Sequence, residues 1–307
     1  MNVLVIGGTY FVGRVFVMMA SKRGDIDLTL LNRGKYSMNM EGVREIHCDR
    51  HDTAAVTNAL YDSCWDAVVD FCAYEPGDIN GIMGIQGFSV KQYLMISTSS
   101  VCDVPGVGIK TETSPVISSP DGTRDGDYAY KKALLEEELK NCCAITGAAY
   151  TIFRPAYVFG PYNYVERESW FIRMIAEGRA VPYPAEADAH FRFVYVGDIA
   201  NAILLCLSDE RSKNEIYNLA APEMMDYRRF FEVLREVSGC PFETIEVTNK
   251  RIVEGNIPLP YPIIKDDICD GSKIEKELGF VYQPFESCMK KTWNAFIKVY
   301  NLNPKWS

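Results

Sequence analysis

No apolar run in the chain approaches the roughly 18 residues that a membrane-spanning helix needs, so no such span is expected. Histidine is scarce, at three residues (His47, His51, His190), and the ten cysteines contain no C-x-x-C pair. Neither set has metal-ligand spacing, so no metal site is expected. Cys142 and Cys143 are adjacent, and neighbouring residues rarely satisfy disulfide geometry. A strand beginning at residue 2 leaves no room for an export signal, which makes reduced thiols in a cytoplasmic setting the expectation. Runs of lysine or arginine are absent too. With 32 basic against 41 acidic residues the net charge is −9. That balance gives no long-range field for polyanions and argues against a nucleic-acid partner.

At 307 residues, with 48% hydrophobic and 24% charged content, the chain is long enough for one large domain or two small ones. It opens on a buried-strand pattern, Asn2 to Ile6 (N-V-L-V-I), which runs into Gly7-Gly8-Thr9-Tyr10-Phe11-Val12-Gly13 and then a helical stretch over 12–22. Glycines there let the backbone turn sharply and approach a pyrophosphate, and the following helix aims unpaired N–H groups at that anion. Gly7, Thr9, Tyr10, Phe11, Val12 and Gly13 are therefore candidate dinucleotide-binding residues. Tyr10 occupies the middle glycine position of a G-x-x-G-x-x-G loop, so its side chain must point away from the phosphates.

Strands and helices alternate through the first half: strands at 27–31, 45–48, 66–71, 92–98 and 150–153, helices at 53–61 and 127–145, and a weak helix candidate at 76–87 that holds four glycines. Residues 102–126 read as a long loop. Later come an aromatic-rich mixed segment (156–192), a strand at 193–196, a helix at 199–207, a strand at 216–219, and shorter helices and turns over 222–307. The pattern predicts an α/β fold of Rossmann type, a doubly wound parallel sheet with a smaller mixed C-terminal substrate domain. The expected division is 1–155 plus about 193–220 for the nucleotide domain, with 156–192 and 221–307 for the substrate domain.

Tyr128 and Lys132 are four residues apart on one helix and share a face. A phenol with a reference pKa near 10 must fall by roughly 3 units, about 4 kcal/mol, to act as an acid/base near neutrality. An ammonium on the same face supplies part of that. Tyr130 is the other tyrosine in reach, but the residue four beyond it is Leu134. The strand at 92–98 ends in Ser97-Thr98-Ser99-Ser100, at the sheet end where ligands bind in open α/β folds. A turn of small polar residues is the bland alternative there.

Together with Arg154-Pro155-x-x-x-Phe159-Gly160-Pro161 and Phe193-Val194-Tyr195-Val196-Gly197-Asp198, these motifs give a chain that resembles the extended short-chain dehydrogenases/reductases of the NAD-dependent epimerase/dehydratase superfamily. Asn32-Arg33-Gly34 and Cys48-Asp49-Arg50 add a likeness to an atypical subgroup that includes chloroplast stem-loop-binding proteins. The resemblance implies that Tyr128 is the acid/base. Lys132 lowers its pKa and holds the nicotinamide ribose, and Thr98 orients the substrate, with Ser99 as a fallback. Asp49, with Arg50 beside it, is implied at the adenine. Phe71, Cys72 and Ala73 are implied along the ribose, and Pro155 and Val158 at the nicotinamide amide. Ser99, Ser100, Tyr157 and Arg192 fall on the substrate side, and Asp198 in a structural role at a helix start. The end of the second strand carries Asn32, Arg33 and Lys35 in place of an acid, which favours NADP slightly over NAD. A homodimer through the helix at 127–145 is a further implication.

Departures narrow the function. Ser99-Ser100 stand where 4,6-dehydratases carry Asp-Glu, which disfavours dehydration. Tyr157 stands where sugar-nucleotide enzymes usually place Asn, and Arg192 lies one position late. The expectation is an NAD(P)-dependent epimerase or reductase acting on a hydroxyl/keto carbon of a sugar nucleotide or similar small polar metabolite. A non-catalytic nucleotide-sensing or RNA-associated protein is the alternative.

Overall fold

The computed structural model describes residues 1–104, 108–239, 241–255, 257 and 259–299. Residues 105–107 of the long loop and 300–307 of the C-terminal stretch lie outside them. The first half runs β1 (Asn2–Ile6), α1 (Phe11–Ala20), β2 (Asp27–Asn32), β3 (Val43–His47), α2 (Thr53–Leu60), β4 (Cys64–Asp70), α3 (Asn80–Met83), β5 (Ser89–Ile96), α4 (Arg124–Thr146) and β6 (Ala149–Pro155). The second half adds β7 (Tyr157–Phe159), α5 (Glu168–Ala176), β8 (Val181–Pro184), β9 (Phe193–Tyr195), α6 (Val196–Cys206), β10 (Glu215–Leu219), α7 (Tyr227–Ser238), β11 (Thr244–Val247), α8 (Asn249–Glu254), α9 (Ser272–Leu278) and α10 (Phe285–Val299).

Seven strands form one parallel sheet in the order β10-β6-β5-β4-β1-β2-β3. This is the Rossmann-type α/β arrangement that the alternation predicts. The strand order reverses between β1 and β4, and ligands of such sheets bind in the crevice outside the carboxyl ends at that point. Val3 to Ile6 are fully buried because helices cover both faces. On one face Phe16 and Val17 of α1 and Ile203 of α6 pack on Val3, Val5 and Leu28, joined by Ile274 and Leu278 of α9. On the other, Leu135 and Leu139 of α4 pack with Val56 and Leu60 of α2 against Leu4 and Val68. A third cluster is aromatic and lies beyond the sheet, with Phe193 at 4.9 Å edge-on to Tyr261 and 5.2 Å stacked on Phe285.

Helix α4 starts three residues before the sequence pattern places it. Thr123 supplies the reason, since its hydroxyl accepts from the Gly126 N–H at 3.0 Å and caps the helix. Gly147, at φ +77°, ends it in the left-handed conformation. The glycine-rich stretch at 76–87 keeps one short helix, α3, and Glu138 of α4 holds the turn before it. That carboxylate accepts from the N–H groups of Gly77 (2.7 Å), Ile79 (3.0 Å) and Asn80 (2.7 Å). Asp198 lies inside α6, which begins at Val196, and it accepts from the Gln283 side chain at 2.7 Å. It has a structural role in the first turn of α6, where it ties the helix to the segment before α10.

Candidate active site

The glycine loop has the backbone its sequence demands. Gly7 and Gly8 adopt φ of +91° and +84°, and a Cβ on Gly13 would lie 2.7 Å from the Gly8 Cα. Helix α1 therefore meets the loop backbone to backbone. Tyr10 sits at the N-cap of α1 without a side-chain cap, and the first turn holds no acid. The N–H groups there are left for an anion, which fits a dinucleotide pyrophosphate. Tyr10 points outward, as its bulk requires, with its ring 4.9 Å from Tyr36 and 6.2 Å from Tyr164. Phe11 takes the strained φ of +34° and lies 6.4 Å from the Tyr164 ring. Thr9 and Val12 are half-buried beside them.

At the end of β2, Asn32 is buried and braces its own turn. Its amide donates to Glu45 Oε2 at 2.8 Å, and its Oδ1 accepts from the Gly34 N–H at 2.7 Å. Arg33 and Lys35 remain exposed on the same turn. Asp49 is exposed and accepts from the His51 N–H at 3.0 Å. Arg50 turns inward. Its Nη1 donates to both carboxylate oxygens of Asp70 at 3.0 Å and its Nη2 to the Asp78 carbonyl at 2.6 Å. The fully buried Asp70 carboxylate requires a cation, and Arg50 supplies it, so this guanidinium is committed inside the protein.

Lys132 is 2% exposed, and its Nζ donates to the carbonyls of Ala73 (2.6 Å) and Ile96 (2.9 Å). It thus pins α4 across the carboxyl ends of β4 and β5. Burial lowers its pKa to about 8. Its ammonium lies 4.6 Å from the Tyr74 ring centroid and 5.9 Å from that of Tyr128. Tyr128 is 39% exposed, and its ring is 6.5 Å from Tyr74. Desolvation first, and Tyr164 second, push its phenol up to about 12, with Arg167 pulling the other way. Lys132 alone therefore does not produce the lowered phenol that the shared helix face predicts. Two backbone carbonyls take up its N–H groups, and its Nζ stands 5.9 Å from the Tyr128 ring centroid.

Thr98 is half-buried at the head of a 3₁₀ turn (Ser99–Val101), and its hydroxyl accepts from the Ser100 N–H at 3.2 Å. Ser99 is buried and Ser100 exposed. Beneath them Ser97 donates to Glu136 Oε1 at 2.6 Å, and Arg154 clamps the same carboxylate at 2.9 and 2.6 Å. Glu136 sits one turn after Lys132, so this buried fork fixes α4 against β5 and β6.

Cys72 is half-buried beside Gly7, and burial pushes its thiol up to about 12, so it is no nucleophile. Phe71 packs 5.6 Å from Phe16. Pro155 is buried at the end of β6, and Val158 is half-buried in β7. The Tyr157 hydroxyl donates to Asp267 Oδ2 at 2.9 Å, and Lys110 pairs with the other oxygen at 2.6 Å. Arg192 Nη1 donates to the Cys269 carbonyl at 3.3 Å, while its buried Nε has no partner among the described residues. Tyr74, Tyr164 and Arg167 were not singled out from sequence. Only the aromatic richness of 156–192 points toward Tyr164, and no sequence signal marks Arg167.

Residues 82–220 match the model of the NAD dependent epimerase/dehydratase family. The chain is 25% identical over 254 residues to the chloroplast stem-loop binding protein of 41 kDa b of Arabidopsis thaliana, over 78% of this chain and 64% of that protein. It is 23% identical to 2'-dehydrokanamycin reductase of Streptomyces kanamyceticus, over 80% of this chain and 69% of that one. The chain thus spans about two thirds of each relative's length. Among solved structures it is similar to UDP-glucose 4-epimerase of Thermotoga maritima, with a TM-score of 0.77 at 20% identity, covering 98% of this chain and 100% of that one. UDP-glucuronic acid 4-epimerase of Bacillus cereus gives 0.78 at 15%, with the same coverage. The family match begins in α3, downstream of the glycine loop with its Tyr10. Residues 82–220 carry the NAD dependent epimerase/dehydratase family's domain, on the Rossmann-type fold that these epimerases share.

Proposed function

We propose that the protein is an NAD(P)-dependent epimerase or reductase acting on a hydroxyl/keto carbon of a sugar nucleotide or similar polar metabolite. One observation carries this reading. Lys132 Nζ is held by the Ala73 and Ile96 carbonyls one helical turn below Tyr128, at the carboxyl end of the sheet beside Thr98. When bound, the nicotinamide supplies hydride transfer. Tyr128 passes the proton at its phenolic oxygen, Thr98 orients the substrate oxygen, and Lys132 holds the α4 face in register. A phenol near 12 needs more positive charge than Lys132 gives, and Arg167 acts on it in that direction.

Arg33 and Lys35, exposed where an acid would hold a ribose hydroxyl, support NADP over NAD. Ser99 and Ser100 after Thr98 support epimerisation or reduction over dehydration. One relative, 2'-dehydrokanamycin reductase, is a reductase by name, which favours a freely exchanging coenzyme. Tyr128→Phe is expected to lower kcat by about 10²–10⁴ with coenzyme binding unchanged by calorimetry. Unchanged turnover sinks the reading. The stem-loop-binding relative motivates a second reading, an RNA-associated role. Salt-dependent RNA binding that survives Tyr128→Phe would favour it.

A further inference from the structure

The segment between Gly160 and α5 crosses the crevice. At one end Tyr162 stacks under the Arg14 guanidinium (5.1 Å) and Tyr164 meets Tyr10 and Phe11 of the glycine loop. At the other end stands Arg167, half-buried at the N-cap of α5, with its guanidinium 5.8 Å over the Tyr157 ring. Arg167 has a carboxylate on each side in sequence, and both are committed elsewhere. Glu166 pairs with Arg173 at 2.6 Å. Glu168 is fully buried and accepts from the Gly160 N–H (3.0 Å) and the Asn163 amide (3.1 Å). Among the described residues no side-chain hydrogen bond or ion pair engages the Arg167 guanidinium. On the Tyr157 side, Asp267 accepts from the Tyr157 hydroxyl and is paired with Lys110 at 2.6 Å.

A guanidinium carries five donors in a planar fork that matches carboxylate and phosphate. Arg167 is half-buried and none of its nitrogens is a fully buried orphan, so its donors stay open to an anionic ligand. Its charge also acts on Tyr128, Tyr157, Tyr261 and Glu168, in keeping with its place over the Tyr157 ring.

We propose that Arg167 is a specificity-determining residue that binds an anionic group of the substrate, a carboxylate or phosphate on the portion next to the reacting carbon. This deepens the reading above and rests on it for the site's location. A sugar bearing an acid or phosphate is accordingly preferred over its neutral counterpart.

The test is calorimetry on the coenzyme-loaded protein with three probes: a nucleoside diphosphate hexose, the corresponding hexuronic acid, and a hexose 6-phosphate without nucleotide. Wild type is expected to bind the hexuronate at least tenfold more tightly than the neutral hexose. Arg167→Gln abolishes that preference and leaves the neutral probe within about twofold, while Arg167→Lys keeps part of it. Unchanged thermal melting of each variant separates this from misfolding. If neither nucleotide binds but the hexose phosphate binds in an Arg167-dependent manner, the sugar-nucleotide reading falls and the anion site stands. Equal weakening of the two nucleotide probes means that Arg167 does not read the group next to the reacting carbon, and it overturns the proposal. So does the absence of any anion binding that depends on Arg167.

Discussion

Buried charge is handled differently on the two sides of the crevice. Behind the sheet ends, Arg50 is paired with Asp70 and Asp78, and Arg154 with Glu136. On the substrate side, Glu168 is just as buried but is met only by neutral donors. Lys132 stands between these cases, a buried ammonium held by two carbonyls. Paired charges fix geometry and titrate far from neutrality. Unpaired ones keep pKa values near neutrality, where a ligand or a proton can change them. Burial draws Lys132 down to about 8 and Glu168 up to about 7.

The strongest break of this contrast is Arg154→Met. It strands the Glu136 carboxylate, which then keeps only the Ser97 hydroxyl. Removing one partner of a buried pair costs about 3–5 kcal/mol, read as a fall in the denaturant midpoint. Replacing both partners with apolar residues is expected to recover most of the loss. A cost under about 1 kcal/mol for Arg154→Met alone would mean that the pair is not a lock.

Lys132→Met is expected to move stability the other way. The folded-state pKa, near 8, is below the ordinary 10.5, so the unfolded chain binds the extra proton between those values. Charging the folded form near pH 7 then costs about 3 kcal/mol. The variant loses that penalty but leaves the Ala73 and Ile96 carbonyls short of a donor. A net gain of about 2 kcal/mol is expected at pH 7, fading as pH rises from about 8 to 10.5, while turnover collapses. Thermal melts at pH 7 and 10 check both the sign and the fading. A loss of stability at pH 7 would show that the ammonium is held better than its burial implies.

The two sides also differ in how legible they are in sequence. Nearly all the sheet strands show as apolar runs, because a parallel strand buried on both faces needs nothing else. The glycine loop and the Tyr128/Lys132 pair are readable since each rests on local spacing. The aromatic cluster is not, because Phe193, Tyr261 and Phe285 meet only through tertiary contact. The pairing of Arg50 is hidden from sequence for the same reason. Its position beside Asp49 is local, whereas the Asp70 carboxylate that claims it lies 20 residues away. Glu168 and Arg167 look alike in sequence, as two charged neighbours. Only burial tells the committed acid from the unengaged base.

Glu168→Gln tests the smallest effect and the unpaired side directly. A carboxyl whose folded pKa is near 7, above its ordinary 4.5, makes the folded state hold the extra proton between those values. Stability therefore falls as pH rises through that window, by about 3 kcal/mol in all. Glutamine removes this penalty but turns a second amide donor toward Gly160 and Asn163, which costs about 1–2 kcal/mol. The variant is expected to be more stable than wild type by about 1 kcal/mol at pH 8 and less stable at pH 4.5. Denaturant titrations at the two pH values read the change of sign. A difference that stays constant with pH would mean that Glu168 is ionised throughout, and the contrast between paired and unpaired burial would fail on its own ground.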